Sequence, residues 1–150
     1  HTRSFHVTGV QTCALPIFNS VDFIDFFGWG SNDLNLKGDL KEKKDGLVNY
    51  KFSLCIENSS EQNYISEKFF DCILTDTIPI YYGCKNIRTL IPENCYITIN
   101  NIEDVESIKT QLFYINKNSN FLYERMIPEL NKFKKRYFQD FNPIKNIIEL

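Results

Sequence analysis

The residues best suited to chemistry lie between Glu57 and Lys68, where a polar run follows an apolar stretch. Lys68 falls in the first turn of a predicted helix, beside the positive end of the helix dipole. A cation there is unfavourable by roughly 0.3–1 kcal/mol. An anion bound at the helix N-terminus, most commonly a phosphate, would remove this conflict. These residue types therefore indicate a phosphate-bearing ligand. In the alternative interpretation, Lys68 extends into solvent or pairs with Glu61.

The polar run lies between a predicted strand and a predicted helix, and a second strand follows the helix. Together these elements cover about 34 residues, which is the size of a βαβ unit. The first strand covers 50–56, and Ser66 is the predicted N-cap of the helix. The second strand covers 78–82. The predicted buried stripe of the helix consists of Phe69, Phe70, Ile73 and Leu74. Since such units bind ligands beyond the carboxyl ends of their strands, we expect the site to follow residue 56, with Tyr82 and Gly83 lining the cleft.

The stretch YKFSLCIENSS…YISEKFFDCILTDTIPIYYG resembles the donor-binding motif of the family-10 α-1,3-fucosyltransferases. The family pattern is Y-K-F-x-L-x-F-E-N-S, a short loop, Y-[VI]-[ST]-E-K, a spacer and T-[IV]-P-[IV]-Y-x-G. The departure is Ile56, where the family usually has an aromatic residue, and we expect this change to affect packing rather than chemistry. The resemblance implies contacts to GDP-fucose from four side chains: Asn58, Tyr64, Glu67 and Lys68. By the same resemblance, Glu67 is expected to bind the ribose hydroxyls and Lys68 to bind the diphosphate.

The alternation of strands and helices predicts an α/β domain with a parallel sheet and flanking helices. The resemblance covers residues 21–150 and implies that this domain is the Rossmann-like C-terminal half of a GT-B glycosyltransferase. Family members transfer L-fucose from GDP-fucose to a hydroxyl of a glycan acceptor, with inversion, in protein or lipopolysaccharide glycosylation. The resemblance implies no metal or other cofactor.

The resemblance places the catalytic base in an N-terminal acceptor domain, so it assigns no catalytic residue to this chain. We therefore expect the chain alone to hold the donor site and to catalyse no transfer. Glu57 is the other nearby carboxylate worth testing as a base. We include it among the donor-site residues with an orienting role instead.

The first seventeen residues, HTRSFHVTGVQTCALPI, read unlike the rest of the chain. VTGVQTCALPI resembles the translation of a sequencing-library adapter. A signal peptide is the competing interpretation, but Gln11 and Thr12 interrupt its apolar region. We therefore expect residues 1–17 to be non-native and exclude them from the predicted fold. Residues 18–150 are then one GDP-sugar-binding domain of a protein truncated at its N-terminus.

The composition of residues 18–150 excludes several kinds of site. These residues include 16 basic and 19 acidic side chains, a net charge of −3, which argues against a generally basic nucleic-acid binder. Both histidines lie in the first seventeen residues, so no imidazole base or histidine metal ligand remains. Asp22 and Asp25 are three apart, unlike the D-x-D of metal-dependent glycosyltransferases, and we expect them to face solvent. The four remaining cysteines form no C-x-x-C pair, so no zinc site is predicted.

The remaining elements are predicted from apolar spacing. Residues 21–30 are typical of a strand with a tight turn, residues 31–44 of a loop and a short solvated helix, and residues 95–99 of another strand. Asn100 and Asn101 are the predicted cap of a helix whose apolar positions fall at helical spacing: Ile102, Val105, Ile108, Leu112 and Ile115. From residue 116 the chain is predicted to be helical, interrupted by Pro128 and restarted at Pro143.

A basic cluster in this last region consists of Lys132, Lys134, Lys135 and Arg136. Such clusters are usually solvated helix faces. The alternative is peripheral association with an anionic membrane. No run of 18 apolar residues predicts a transmembrane helix. From the resemblance, we expect a cytoplasmic or peripheral membrane location in a bacterium and the Golgi membrane in a eukaryote.

Two alternative functions stay open at this point. A GT-B transferase for another nucleotide sugar would prefer UDP or CMP over GDP. A non-catalytic interaction domain would bind no nucleotide, and the polar run from Glu57 to Lys68 would be ordinary surface.

Overall fold

A computed structural model of the chain describes residues 3–8, 21–27 and 43–140. The described strands are β1 (Arg3–Thr8), β2 (Ile24–Phe27), β3 (Tyr50–Ile56), β4 (Ile78–Tyr82) and β5 (Ile97–Thr98). The described α-helices are α1 (Glu67–Leu74), α2 (Ile87–Leu90), α3 (Val105–Lys117) and α4 (Ser119–Asp140). Short 3₁₀ turns cover Lys43–Gly46 and Glu93–Cys95.

The described strands form one sheet in the order β2-β1-β3-β4-β5, with every pair parallel. Ile56 lies opposite Tyr82, and Tyr81 lies opposite Thr98, so β3, β4 and β5 end at the same edge. The carboxyl ends of parallel strands form the edge at which α/β sheets bind ligands. The predicted parallel α/β architecture is therefore confirmed, and the polar run after β3 lies at this edge.

The core centres on β3 and β4. Both faces of β3 are covered, since Phe52, Ser53, Leu54 and Cys55 are all buried; this is typical of an inner strand of a parallel sheet. Helix α4 packs beside this strand, where the ring of Tyr123 meets that of Phe52 edge-on at 6.3 Å. It also contacts α1.

The predicted βαβ unit is confirmed to the residue in both strands and in the Ser66 N-cap. Its buried stripe needs a correction. Leu74 is 47% exposed, while Cys72 is buried beside Phe69 and Ile73. Leu74 lies one position, about 100° around the helix, beyond Ile73. Its side chain therefore leaves the buried face that Phe69, Cys72 and Ile73 form.

The segment Arg3–Thr8 belongs to the stretch that the predicted fold does not include. It forms β1 between β2 and β3, with Phe5 opposite both Ile24 and Phe52. The segment carries strand-forming residues at 5, 7 and 8. The origin of the segment stays a prediction.

Three further sequence predictions need correction. Helix α3 is capped by Asp104, whose Oδ1 accepts from the backbone N–H of Ser107 at 3.0 Å, and not by Asn100 or Asn101. Strand β5 is shorter than predicted, because residues 93–95 form a 3₁₀ turn. Helix α4 continues through Pro128, whose flanking turns are held by the buried Leu130 and by Tyr123.

Asp25 does not face solvent as predicted, since it accepts a hydrogen bond from the Tyr50 hydroxyl at 2.7 Å. The predicted turn at 28–30, most of the loop at 31–44 and the helix after Pro143 lie outside the described residues. In the part of the chain that the structure describes, no helix has both the length and the apolar character needed to cross a bilayer.

Candidate functional site

Glu57, the first residue after β3, organises the candidate site. Its backbone N–H donates to the carbonyl of Tyr82 at 2.9 Å and so extends the β3–β4 ladder by one residue. Its side chain is buried, with the residue only 5% exposed. Oε1 accepts from the backbone N–H of Ser66 at 2.8 Å. The carboxylate therefore joins the start of the loop at 57–66 to its end at Ser66, the N-cap residue of α1.

Tyr81 supports this carboxylate from the neighbouring strand. Its hydroxyl lies 3.3 Å from Glu57 Oε1 and 3.4 Å from the carbonyl of Tyr64, and it accepts from the backbone N–H of Cys84 at 3.0 Å. Burial raises the pKa of Tyr81 well above its ordinary value. The phenol therefore keeps its proton and acts as a donor within the loop. The sequence does not predict this role for Tyr81, since an apolar strand position carries no signal for it.

The first turn of α1 contains Lys68, the predicted phosphate-binding residue. Ser66 Oγ accepts from the backbone N–H of Lys68 at 3.3 Å, so the predicted cap is in place. Lys68 Nζ donates to the carbonyl of Ile56 at 3.2 Å and to Asn58 Oδ1 at 3.1 Å. The side chain is folded over the end of β3 rather than extended into solvent or paired with Glu61. The structure thus brings Lys68 and Asn58 together beside the helix N-terminus.

The other predicted ligand contacts lie around the same helix start. Glu67 is the first residue of α1 and is exposed, a favourable place for a carboxylate near the positive end of the helix dipole. Tyr64 precedes the cap by two residues and is 43% exposed. Each therefore has surface available to a ligand at the carboxyl edge of the sheet.

Tyr82 and Gly83, the predicted cleft-lining residues, line a cavity of about 410 Å³ at the ends of β4 and β5. Ser60 of the loop forms one wall, and Arg88 and Asn100 form others. The cavity therefore begins where the loop at 57–66 meets the turn after β4. Among the described residues, no group of three or more His, Cys, Asp or Glu is arranged to hold a metal ion.

Two thiols lie beneath the site. Cys55 Sγ and Cys72 Sγ are 3.3 Å apart, and both residues are buried. The hydrogen bond with Cys72, together with burial, raises the pKa of the Cys55 thiol well above its ordinary value. Structural thiols buried in apolar surroundings are inert, so this pair belongs to the core rather than to the chemistry.

Comparisons with known proteins match this arrangement to one family. The model for the C-terminal region of glycosyltransferase family 10 (fucosyltransferase) matches residues 17–138. An α-(1,3)-fucosyltransferase of Helicobacter pylori is 28% identical over 93% of this chain and 29% of its own length. A putative fucosyltransferase-like protein of Arabidopsis thaliana is 35% identical over 51% of this chain and 15% of its own length.

Solved structures give the same picture. A crystal structure of an α1,3-fucosyltransferase superposes with a TM-score of 0.67 and 25% identity, covering 85% of this chain and 38% of the other. An α1,3-fucosyltransferase crystallised with GDP superposes with a TM-score of 0.65 and 25% identity, covering 83% and 38%. This chain thus spans well under half the length of these relatives. The predicted fold, the Rossmann-like C-terminal half of a GT-B glycosyltransferase, is confirmed.

Proposed function

The chain belongs to glycosyltransferase family 10, the fucosyltransferases, and we propose that it supplies the GDP-fucose site of an enzyme that transfers L-fucose to a glycan hydroxyl with inversion. One observation carries the proposal. The ammonium group of Lys68 lies beside the N-terminus of α1 and donates to two neutral oxygens, the Ile56 carbonyl and Asn58 Oδ1. A diphosphate would supply the negative charge that these oxygens do not.

In this proposal, the residues around the helix start share the donor between them. Lys68 binds the diphosphate, and Asn58, which already holds the Lys68 ammonium, contacts the same ligand. Glu67 accepts hydrogen bonds from the ribose hydroxyls. The exposed ring of Tyr64 covers one side of the ligand. The cavity beside Tyr82 and Gly83 then takes a further part of the donor.

The reaction explains why a fixed cation matters. As the bond between the sugar and the diphosphate breaks, negative charge grows on the departing phosphate. A preorganised cation stabilises that charge more in the transition state than in the ground state. Lys68 is held in place by its two acceptors and meets this requirement. The proposed mechanism requires no metal.

Glu57 takes the orienting role and not that of the base. A general base must reach the acceptor hydroxyl, whereas the Glu57 side chain is buried and its Oε1 accepts from Ser66. The family resemblance implies that the carboxylate that takes the proton of the acceptor lies in the acceptor domain of the enzyme. On this basis the chain alone binds the donor nucleotide and transfers nothing.

Calorimetric titration of the 150-residue chain with GDP tests the proposal. We expect binding by the wild-type chain and a loss of about 10- to 100-fold in affinity for Lys68→Ala, the effect of removing one charged hydrogen-bond donor. Lys135→Ala, a change at an exposed lysine of α4, is the matched control and should bind like the wild type.

Titrations with UDP and CMP distinguish the alternatives. Preference for either over GDP would indicate a transferase for a different nucleotide sugar. No binding of any nucleotide, or equal GDP binding by Lys68→Ala and the wild type, would contradict the proposal. The first of these results would favour an interaction domain.

A further inference from the structure

The loop at 57–66 is joined to the turn at 83–86 by hydrogen bonds that cross 23 or 24 positions of sequence. Ser60 Oγ donates to the Gly83 carbonyl at 2.8 Å, and the Lys85 N–H donates to the Glu61 carbonyl at 3.0 Å. Two more bonds come from a single side chain, that of Asn86. Its Oδ1 accepts from the Asn63 N–H at 2.8 Å, and its Nδ2 donates to Asn63 Oδ1 at 2.7 Å.

Asn86 occupies a position at which its side chain would ordinarily do something else. It is the N-cap residue of α2, where an asparagine usually accepts from a backbone N–H of its own helix. Here the side chain makes no such capping bond. Its amide is directed across to Asn63 of the loop instead. The Asn86 side chain therefore stabilises the loop at 57–66, although the Asn86 backbone begins α2.

Asn63 needs this support because of its backbone conformation. Its φ is 58°, in the left-handed region that most L-residues avoid and that asparagine tolerates better than most. This conformation turns the chain just before Tyr64 and the cap at Ser66. Asn86 holds the turn from both sides of the Asn63 residue, at its backbone N–H and at its side-chain oxygen.

We propose that Asn86 is a positioning residue for the nucleotide site, because it fixes the loop that presents Tyr64 and leads into Lys68 before the ligand arrives. This inference rests on the proposed function. A loop that is already ordered gives up less conformational freedom on binding, so the affinity is higher. Asn86 acts through Asn63 and touches no substrate itself.

Asn86→Asp tests this role with little change in volume. The aspartate keeps an oxygen that can accept from the Asn63 N–H, but it places a second oxygen against Asn63 Oδ1 in place of the donor. We expect GDP affinity to fall roughly tenfold, and amide hydrogen exchange at residues 62–66 to become faster without ligand. Thr89→Ala removes two bonds to Asn86 within α2, the 3.4 Å bond from Asn86 Nδ2 and the 2.8 Å bond from Thr89 Oγ1 to the Asn86 carbonyl, but it keeps both bonds between Asn86 and Asn63. It is the control and should change neither the affinity nor the exchange.

A second variant separates positioning from general loss of structure. Asn63→Gly in the Asn86→Asp background removes the opposing oxygen, while glycine keeps the left-handed conformation and the backbone N–H. We expect it to restore part of the lost GDP affinity and slower exchange in the loop. A variant that merely failed to fold would show no such rescue.

The outcomes separate this inference from the proposed function. GDP binding by the wild type, with equal affinity and equal loop exchange in Asn86→Asp, overturns the role of Asn86 and leaves the proposed function intact. Absence of GDP binding by the wild-type chain overturns the proposed function and this role with it. Weaker binding and faster exchange, both rescued by Asn63→Gly, establish Asn86 as a positioning residue.

Discussion

Gly83 lies so close to Glu57 that a Cβ atom at position 83 would be 2.3 Å from Glu57 Cγ and 2.7 Å from Glu57 Cβ. The Tyr81 hydroxyl would be 2.8 Å away. The turn after β4 therefore fits against the buried carboxylate only because residue 83 has no side chain. The same carboxylate closes the loop at 57–66 through Ser66.

Gly83→Ala should therefore alter the site indirectly, since residue 83 has no side chain that could contact the ligand. Glu57 must shift, and its hydrogen bond to the Ser66 N–H is weakened. We expect the free energy of unfolding to fall by about 1–3 kcal/mol, as for overpacking elsewhere, and GDP affinity to fall about tenfold. Urea denaturation and calorimetry measure the two effects. Asn94→Ala at an exposed position is the control, and an alanine at 83 that behaves like it would contradict this contact.

The local pattern of the sequence was sufficient to predict the central βαβ unit. Alternating side chains mark β3, and Ser66 marks the start of α1, so these bounds match the structure. Such signals are local: they depend on residues within a few positions of each other. The parallel arrangement could likewise be predicted, because a strand, a helix and a strand of this length connect in few ways.

The contacts that shape the site have no such local signal. Glu57 and Tyr81 are 24 positions apart, and Asn63 and Asn86 are 23 apart. The residues around each member of these pairs do not indicate which distant residue it will contact. The same reason explains Asp25, whose hydrogen bond to Tyr50 depends on β2 and β3 lying in one sheet. Long-range polar pairing is therefore the part of the site that the sequence does not predict.

The proposed contact between Glu67 and the ribose can be tested on both partners at once. We expect 2′-deoxy-GDP to bind the wild-type chain roughly tenfold more weakly than GDP, since one charged hydrogen bond is lost. In Glu67→Ala the two nucleotides should bind with nearly equal affinity, because the carboxylate that distinguishes them is absent. Dividing one affinity ratio by the other and multiplying the natural logarithm of the result by RT gives the coupling energy of the pair.

Glu61→Ala is the control for this cycle, since Glu61 is an exposed carboxylate of the same loop whose backbone carbonyl, and not its side chain, holds the turn. It should keep the full preference for GDP. Equal loss of that preference in both variants would show that Glu67 does not bind the ribose.

Lys134 differs from the rest of the basic cluster in α4. Its Nζ donates to Asp76 Oδ1 at 2.8 Å and to the Leu74 carbonyl at 2.9 Å, at the C-terminal end of α1. A cation there complements the negative end of the helix dipole. The cluster is thus not uniformly solvated, because Lys134 joins α4 to the end of α1. Peripheral membrane association stays a prediction.

Lys134→Met should lower the free energy of unfolding by about 0.5–1.5 kcal/mol, since it removes both hydrogen bonds while keeping an apolar side chain. Lys132→Met is the matched control on the same helix. Lys132 pairs with Glu129 at 2.6 Å on an exposed face, and exposed pairs contribute about 0–1 kcal/mol. Urea denaturation of the three proteins measures the difference. A Lys132 effect as large as that of Lys134 would contradict the bridge to α1.

Cys95 provides a prediction about alkaline pH. The residue is 0% exposed, and burial raises the pKa of its thiol from 9.0 to about 11, with the charge of Glu129 adding to the shift. The folded chain therefore holds this proton more tightly than the unfolded chain. The contribution to stability is fully present below about pH 9 and is lost as the pH rises through about 11. Within this window, the loss amounts to at most about 1.4 kcal/mol per pH unit for one proton.

Urea denaturation between pH 7.5 and 11 under reducing conditions tests this contribution. Cys95→Ala should differ from the wild type by a constant free energy below pH 8, the cost of the small cavity. Between pH 9 and 11 the free energy of unfolding of the wild type should fall more steeply than that of Cys95→Ala. The difference in free energy between the two proteins therefore narrows. Tyr123, whose pKa burial raises to about 12, adds to the decline of both proteins above pH 10. Parallel curves for the two proteins over the whole range would show that the Cys95 thiol does not govern the decline.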